Sequence, residues 1–255
     1  MHVCLLASGS KGNALYLKQG ESALLVDAGL SGRELRRRLE TIGADELHGM
    51  MVSHEHHDHV QGIGPLSRRE NLPVFMHGET CRALSKVGVL DDHREIGPGE
   101  RFAFRDLEVD PFPISHDAAV PMGFVVSGDE GKIGVATDLG VATRLVTECL
   151  RGCRVLVLEF NHDEEMLRDG PYPWHLKQRI RSRQGHLENR AAGSLLREVA
   201  WEGLEAVFLA HLSETNNRPE LALAAAEQAL EAVPHCRPQL IVGSQQVASK
   251  SFLTL

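Results

Sequence analysis

The sequence predicts an α+β layered fold with two related sheets, and three observations carry that reading. Short apolar segments alternate with amphipathic stretches along the whole chain. The apolar segments come in hairpin-like clusters followed by helices, and that order repeats in the second half. Neither G-x-G-x-x-G nor G-x-x-x-x-G-K-[ST] occurs, so a doubly wound nucleotide-binding sheet lacks its main support. The first strands are predicted at His2–Ala7, Ala14–Lys18, Ala23–Asp27, Gly49–Ser53 and Pro73–His77. The second group covers Phe102–Phe104, Glu108–Ile114, Gly123–Ser127, Lys132–Thr137, Val155–Glu159, Ala206–Ala210 and Gln239–Val242. Gly128-Asp129-Glu130-Gly131 between two apolar runs reads as a hairpin turn. Helices are predicted at Gly32–Ile42, Glu79–Val87, Ala142–Arg151, Asn189–Trp201 and Arg218–Val233. Ser31 with Glu34 makes a capping box for the first, and Pro219 sits in the first turn of the last.

A chain of 255 residues with 42% hydrophobic and 24% charged residues can close a core without disulfides, which excludes disordered and fibrous classes. No linker or repeat interrupts it, so one domain over residues 1–255 is expected. No apolar run approaches the roughly 20 residues that span a bilayer. The opening Val3–Ala7 run is too short for a signal segment and lacks a basic flank. A cytoplasmic protein without membrane contact is therefore expected. Five cysteines (Cys4, Cys81, Cys149, Cys153, Cys236) include no C-x-x-C pair, which argues against a disulfide framework and a thiolate zinc site. Cys149 and Cys153 are expected as packed thiols on one face of a helical stretch. The net charge of −8 excludes a uniformly basic coat, though not a local basic groove.

Histidine is the anomaly: of 14 in the chain, four lie between His54 and His59, in Ser53-His54-Glu55-His56-His57-Asp58-His59 after an apolar strand. On extended backbone, residues two apart point to the same side, so His54 and His56 can reach one ion. As the chain turns into a helix start, Asp58 and His59 come round towards a second position. Imidazole and carboxylate suit zinc, manganese or iron.

His54-x-His56-x-Asp58-His59 after a strand resembles the signature of the metallo-β-lactamase fold superfamily. That family expects three further residues at strand ends: a lone His, an Asp bridging two metals, and a final His. This sequence supplies His116 in Ile114-Ser115-His116-Asp117, Asp138 in Thr137-Asp138-Leu139-Gly140 and His211 in Ala210-His211-Leu212-Ser213. The resemblance implies a four-layer αβ/βα sandwich holding two divalent ions, zinc or manganese with iron as an option. One ion would take His54, His56 and His116, the other Asp58, His59 and His211, with Asp138 bridging. Ala7–Asn13, Glu159–Leu167, Tyr172-Pro173-Trp174, Gly185-His186-Leu187 and Ala210–Ser213 together look like the YycJ (WalJ) branch, related to tRNase Z and to phosphonate-pathway phosphodiesterases. That branch implies a metal-dependent DNA exonuclease working from the 5′ end. Alternative readings are hydrolysis of a small cyclic phosphodiester or of a thioester or lactone, and, last, a non-enzymatic metal-bound scaffold. No segment identifies a protein partner.

Leaving-group protonation needs an acid outside the metal shell. His186 matches the family's Gly-His segment and Glu159 its orienting carboxylate, which fixes one imidazole tautomer; Asp58 would orient the attacking group as well as bind metal. Lys177, Arg179, Arg181 and Arg183, just before His186, are expected to meet backbone phosphates. His162 is left between a supporting donor, a substrate contact and a route to the metals. The Ser8–Asn13 turn reads equally as phosphate cradle and scaffold, and Asn216-Asn217 as a loop turn or, by the resemblance, a substrate-facing loop. Tyr172 and Trp174 could stack on unpaired bases, with core packing the safer reading for either alone. The arginines at 33, 36, 37 and 38 are expected to form a solvated helix face.

Overall fold

Apolar runs from each half of the chain pair into two seven-stranded sheets in the computed structural model, which describes residues 1–85 and 87–254. The first sheet contains β1 (His2–Ala7), β2 (Ala14–Gln19), β3 (Ser22–Val26), β4 (Gly49–Met51), β5 (Val74–Met76) and β6 (His93–Glu95) in chain order. The second contains β7 (Phe102–Phe104), β8 (Leu107–Pro113), β9 (Met122–Gly128), β10 (Gly131–Ala136), β11 (Val155–Glu159), β12 (Ala206–Ala210) and β13 (Gln239–Val242). A last strand, β14 (Phe252–Leu253), returns to pair antiparallel with β1. In both sheets the early strands pair antiparallel and the later ones, β3 to β6 and β10 to β13, pair parallel.

That switch dictates where the helices go, because parallel neighbours need a crossover connection while antiparallel ones need only a turn. The crossovers are α1 (Gly32–Thr41), then α2 (His57–Val60) with α3 (Ile63–Glu70), and α4 (Gly78–Ala83) in the first half. In the second half they are α5 (Arg144–Leu150), then α6 (Glu164–Asp169), α7 (Trp174–Ile180) and α8 (Asn189–Val199), and α9 (Pro219–Glu231). Alternation along each strand separates two packing surfaces. Val155 and Val157 join Leu15, Leu17, Val26, Phe124 and Phe208 between the sheets. Leu156 and Leu158 face outward against Val146, Leu195 and Leu196 of the helices. Leu25 and Met50 likewise pack against Leu35, Leu39 and Leu66. Both faces of each sheet are covered, giving the predicted helix–sheet–sheet–helix sandwich. Among the described residues no helix is long and apolar enough to cross a membrane.

The differences from expectation have local causes. The helix predicted at Glu79–Val87 stops at Ala83, and its residue 86 lies outside the described residues. α5 ends at Leu150, so Cys153 lies beyond the helix rather than sharing a face with Cys149. Burial pushes the Cys153 thiol up to about 12. The α1 arginines are not all solvated. Arg38 is buried, bonded to Glu34 and to the Leu6 and Gln246 carbonyl oxygens, and Arg36 forms a two-pronged pair with Glu70.

Candidate metal centre

The residues singled out from the histidine pattern sit just past strands or, for Asp58 and His59, in the short helix α2 that follows one. Ser53 and His54 follow β4, and His56 is the extended residue from which α2 starts. His116 follows β8, Asp138 follows β10, Glu159 ends β11 and His211 follows β12. Parallel strands aim their C-terminal ends at one edge, so the crossover topology itself gathers these side chains. Asp27, Asp138 and His211 take left-handed backbone, with φ of 61°, 57° and 55°. Non-glycine residues rarely adopt that conformation, and they keep it where surrounding contacts over-determine it.

Donor atoms of His54, His56 and His116 lie within 4.8 Å of one another, as do those of Asp58, His59 and His211. Asp138 stands between the two groups. Its Oδ2 is 3.3 Å from His59 Nε2, and its Oδ1 is 3.5 Å from His211 Nε2 and 3.9 Å from His116 Nε2. His54 Nε2, His211 Nε2 and Asp138 Oδ2 are buried without a hydrogen-bond partner among the described residues. Each such group costs about 1–3 kcal/mol if left unpaired. Buried donors left open on both sides of Asp138 are the pattern that bound divalent cations satisfy, and imidazole with carboxylate is the donor set they take.

Partners on the far side fix the rings. His59 Nδ1 donates to Asp27 Oδ2 at 2.8 Å, and Ser53 donates to both Asp27 oxygens from its hydroxyl and its backbone N–H. His54 Nδ1 meets Ser53 Oγ at 2.9 Å and His116 Nδ1 donates to the Gly185 carbonyl at 3.1 Å. His211 Nδ1 and His186 Nδ1 both donate to Glu159 Oε1, at 2.9 and 2.8 Å. Glu159 Oε2 accepts the Leu139 and Leu187 N–H groups. Tying Nδ1 outward leaves Nε2 directed inward, the arrangement that orients metal-binding histidines.

The electrostatics follow. Burial raises Asp138, but the His211 and His59 rings outweigh it and hold the carboxyl well below its usual range. Burial lowers His211, but Asp138, Asp58 and Glu159 carry it up to about 10. His59 is likewise lowered by burial and raised further by Asp138 and Asp27, ending well above the ordinary value. His54 is held well below it by burial and then by the His59 ring.

Sequence reasoning did not single out Asp27, Ser53 or Asn161. Asp27 closes an apolar strand just ahead of Gly29, the one local signal that marked it. Asn161 donates to the His211 carbonyl, and the Ser8–Asn13 turn braces the ligands while its Ser10 lines the cavity. Ser8 Oγ accepts the His211 N–H, and Asn13 Nδ2 lies 3.2 Å from Asp58 Oδ2. The Asn13 N–H donates to the Asp58 carbonyl at 2.7 Å, across a contact that also excludes any side chain at Gly29. A Cβ there would lie 1.6 Å from the Asp58 carbonyl oxygen and 2.5 Å from Asn13 N. Gly29→Ala should therefore cost about 1–3 kcal/mol of stability and reduce metal content. Denaturant unfolding and elemental analysis check both.

A cavity of about 270 Å³ opens onto this cluster, with Asp58, His116, Asp138, His186 and His211 on one side and Tyr172, Leu176, Arg179 and Ile180 on the other. A larger groove of about 880 Å³ between α8 and α9 contains none of these residues. The other predicted substrate contacts divide. Arg179 lines the cavity, its Nε donating to Asp117 Oδ2 at 2.6 Å. Arg181 is paired with Glu164, and Lys177 donates to the Arg168 carbonyl. Arg183 is exposed, with no ion-pair partner among the described residues. His162 is 3% exposed, with its Nδ1 3.3 Å from Asn161 Oδ1, and burial lowers it to about 4. Asn217 is buried too, donating to the Phe160 and Asn161 carbonyls. Trp174 contradicts the core-packing reading, being 66% exposed.

Comparisons with known proteins place the chain in a family. The family described as "Beta-lactamase superfamily domain" matches residues 23–212. "Exodeoxyribonuclease YycJ" of Bacillus anthracis is 39% identical over 236 residues, covering 91% of this chain and 89% of the relative. "Exodeoxyribonuclease WalJ" of Streptococcus pneumoniae is 34% identical over 225 residues, covering 86% and 84%. The crystal structure of the metallo-β-lactamase fold protein YhfI from Bacillus subtilis superposes with a TM-score of 0.73 at 16% identity, over 98% of this chain and 99% of that one. The chain therefore belongs to the β-lactamase superfamily, in its YycJ/WalJ branch, and is a metal-dependent hydrolase.

Proposed function

We propose that this chain is a single-domain, dinuclear metal-dependent phosphodiesterase that shortens DNA from the 5′ end. The observation that carries the reading is the position of Asp138 between the His54/His56/His116 and Asp58/His59/His211 triads, with His186 just outside them. The first triad would hold one ion, the second the other, and Asp138 both. Zinc, manganese and iron all suit these donors. Two bound ions would activate water, neutralise phosphoryl oxygens and stabilise the leaving oxygen.

The remaining work falls to the chain. Asp58, on the cavity wall, accepts a hydrogen bond from the attacking water and orients it. His186 keeps Nδ1 on Glu159, which leaves Nε2 to carry the proton that the leaving oxygen takes up. Glu159 positions that ring without touching substrate. Arg179, braced by Asp117, and the exposed Arg183 meet the phosphates flanking the scissile one. Lys177 and Arg181 do so by exchanging the Arg168 carbonyl and Glu164 for phosphate oxygens. The names of the two bacterial relatives support DNA as the polymer, and the basic segment supports a polymer over a small ester.

Arg179, Arg181 and Arg183 changed together to Ala should lower DNA cleavage while sparing turnover of a small cyclic phosphodiester or thioester. Equal loss on all substrates, or none on DNA, would favour the small-substrate readings. Metal loading offers a second check. His59 and His211 are raised in the metal-free chain, His211 to about 10, so an incoming cation must displace their protons. Zinc added to the metal-free protein near neutral pH should release about two protons per chain, and apparent affinity should strengthen as pH rises. Titration in weak buffer against a chromophoric chelator measures both.

A further inference from the structure

We propose that Ser115 and Gly140 are positioning residues that seat the turn between α7 and His186, and so fix both the general acid and the metal ligand His116. The inference rests on the dinuclear phosphodiesterase reading above and adds residues outside the ligand set on which it depends. α7 contributes no buried side chain, so apolar packing does not decide where it ends. Polar contacts do. The hydroxyl of Ser115, the residue before His116, donates to the Arg183 carbonyl at 2.7 Å. The His116 ring donates from Nδ1 to the Gly185 carbonyl at 3.1 Å. The N–H of Gly140, two residues past Asp138, donates to the Ser115 carbonyl at 2.8 Å, which ties the two ligand-bearing segments together where the turn crosses them.

Gly140 shows how closely the turn is seated. A Cβ there would lie 2.5 Å from the Arg183 carbonyl carbon and oxygen and 2.6 Å from the Gly185 nitrogen. All three are backbone atoms, so no flexible side chain can swing aside. Gly140 does not take left-handed backbone, and its missing side chain therefore serves the close approach alone. The turn itself is closed by the Gly185 N–H on the Ser182 carbonyl at 3.0 Å and the His186 N–H on the Ile180 carbonyl at 2.9 Å. A Cβ on Gly185 would overlap the Ile180 and Arg179 carbonyl oxygens, so the turn cannot yield from within. Beyond it, His186 Nδ1 and the Leu187 N–H both donate to Glu159. A side chain at position 140 would push the turn back by roughly 1 Å to restore van der Waals separation. That shift reaches the Gly185 carbonyl, which orients His116, and His186, which supplies the proton.

The test loads the full chain with zinc and compares Gly140→Ala, Ser115→Ala and Ser115→Thr with wild type. The substrates are a 5′-phosphorylated thymidine oligonucleotide and a p-nitrophenyl phosphodiester. At saturating zinc, Gly140→Ala should lower kcat on the oligonucleotide by about 100-fold, the scale of loss for a misplacement of about 1 Å. On the nitrophenyl ester, whose leaving group needs no proton, the loss should stay below about tenfold. Competition with a chromophoric chelator should show zinc affinity weaker by about 10- to 100-fold, because His116 loses its orienting carbonyl. Ser115→Ala removes one hydrogen bond and should shift kcat on DNA and zinc affinity by about 2- to 10-fold. Ser115→Thr keeps the hydroxyl and should restore both. Equal kcat losses on both substrates, or wild-type kcat on DNA with wild-type zinc affinity, overturn the proposal. Should Gly140→Ala fail to fold, as its unfolding midpoint will show, the two Ser115 variants decide by the same criteria. If wild type turns over the nitrophenyl ester but not DNA, the nuclease reading fails, and the positioning role stands or falls on zinc affinity alone.

Discussion

Asp138→Asn is expected to abolish phosphodiester hydrolysis, by about a thousandfold or more, and to lower the bound metal per chain. The carboxylate is 2% exposed and faces histidines from both triads, His59 and His211 from one and His116 from the other. An amide keeps the shape and tolerates the left-handed backbone at φ 57°, so the fold should survive. What is lost is the charge that draws two cations together, and several kcal/mol of transition-state stabilisation depends on it, each 1.36 kcal/mol being about tenfold in rate. Without metal the variant should also lose the force that raises His59 and His211, so fewer protons should be released on zinc addition. Elemental analysis and kcat decide the matter. A variant that kept both metals and its rate would show that Asp138 bridges nothing.

His186→Ala is the second large effect, expected to lower kcat on DNA by about 10²- to 10⁴-fold with metal content unchanged. A general acid matters most when the leaving oxygen is a poor leaving group. The same variant should therefore lose far less on a p-nitrophenyl phosphodiester, whose leaving group needs no proton. Equal losses on both substrates would contradict the acid role. Glu159→Gln should go further, because Glu159 Oε1 accepts from His186 and from His211 alike. Burial would raise Glu159, but the two rings hold it at about 2, so it is a carboxylate at any working pH. Its stabilising contribution is present above the unfolded value and is lost only as pH falls towards 2. Loss of metal affinity alongside kcat in Glu159→Gln, but not in His186→Ala, would separate the two duties.

The seven clustered side chains could be read from the sequence because their signals are local: a strand end before His54, His116, Asp138 and His211, and the turn into α2 at His56, Asp58 and His59. The His54–His59 spacing carries its own geometry, and the apolar runs before His116, Asp138 and His211 mark the rest. The residues that hold them could not be read this way. Asp27 meets His59 only after two parallel strands are laid side by side, and Ser8 meets His211 across 203 positions of chain. The basic segment was legible as charge but not as partners: Asp117 and Glu164, which engage Arg179 and Arg181, lie on other elements. Arg38 was misread for the same reason, since the carbonyls that bury it come from β1 and the segment before β14. Helices as short as α2, α3, α6 and α7 show too few periods to be recognised from pattern alone, and β14 has only two residues.

Digestion of end-labelled DNA tests the central claim most directly. Protein loaded separately with manganese or zinc would meet 5′- and 3′-labelled single- and double-stranded DNA, with Asp138→Asn as the control. The account predicts early release of the 5′ label and progressive shortening from that end, absent in the control. Shortening from the 3′ end would reverse the assigned polarity, and intact DNA with both metals, beside turnover of a small phosphodiester, would contradict the DNA substrate itself.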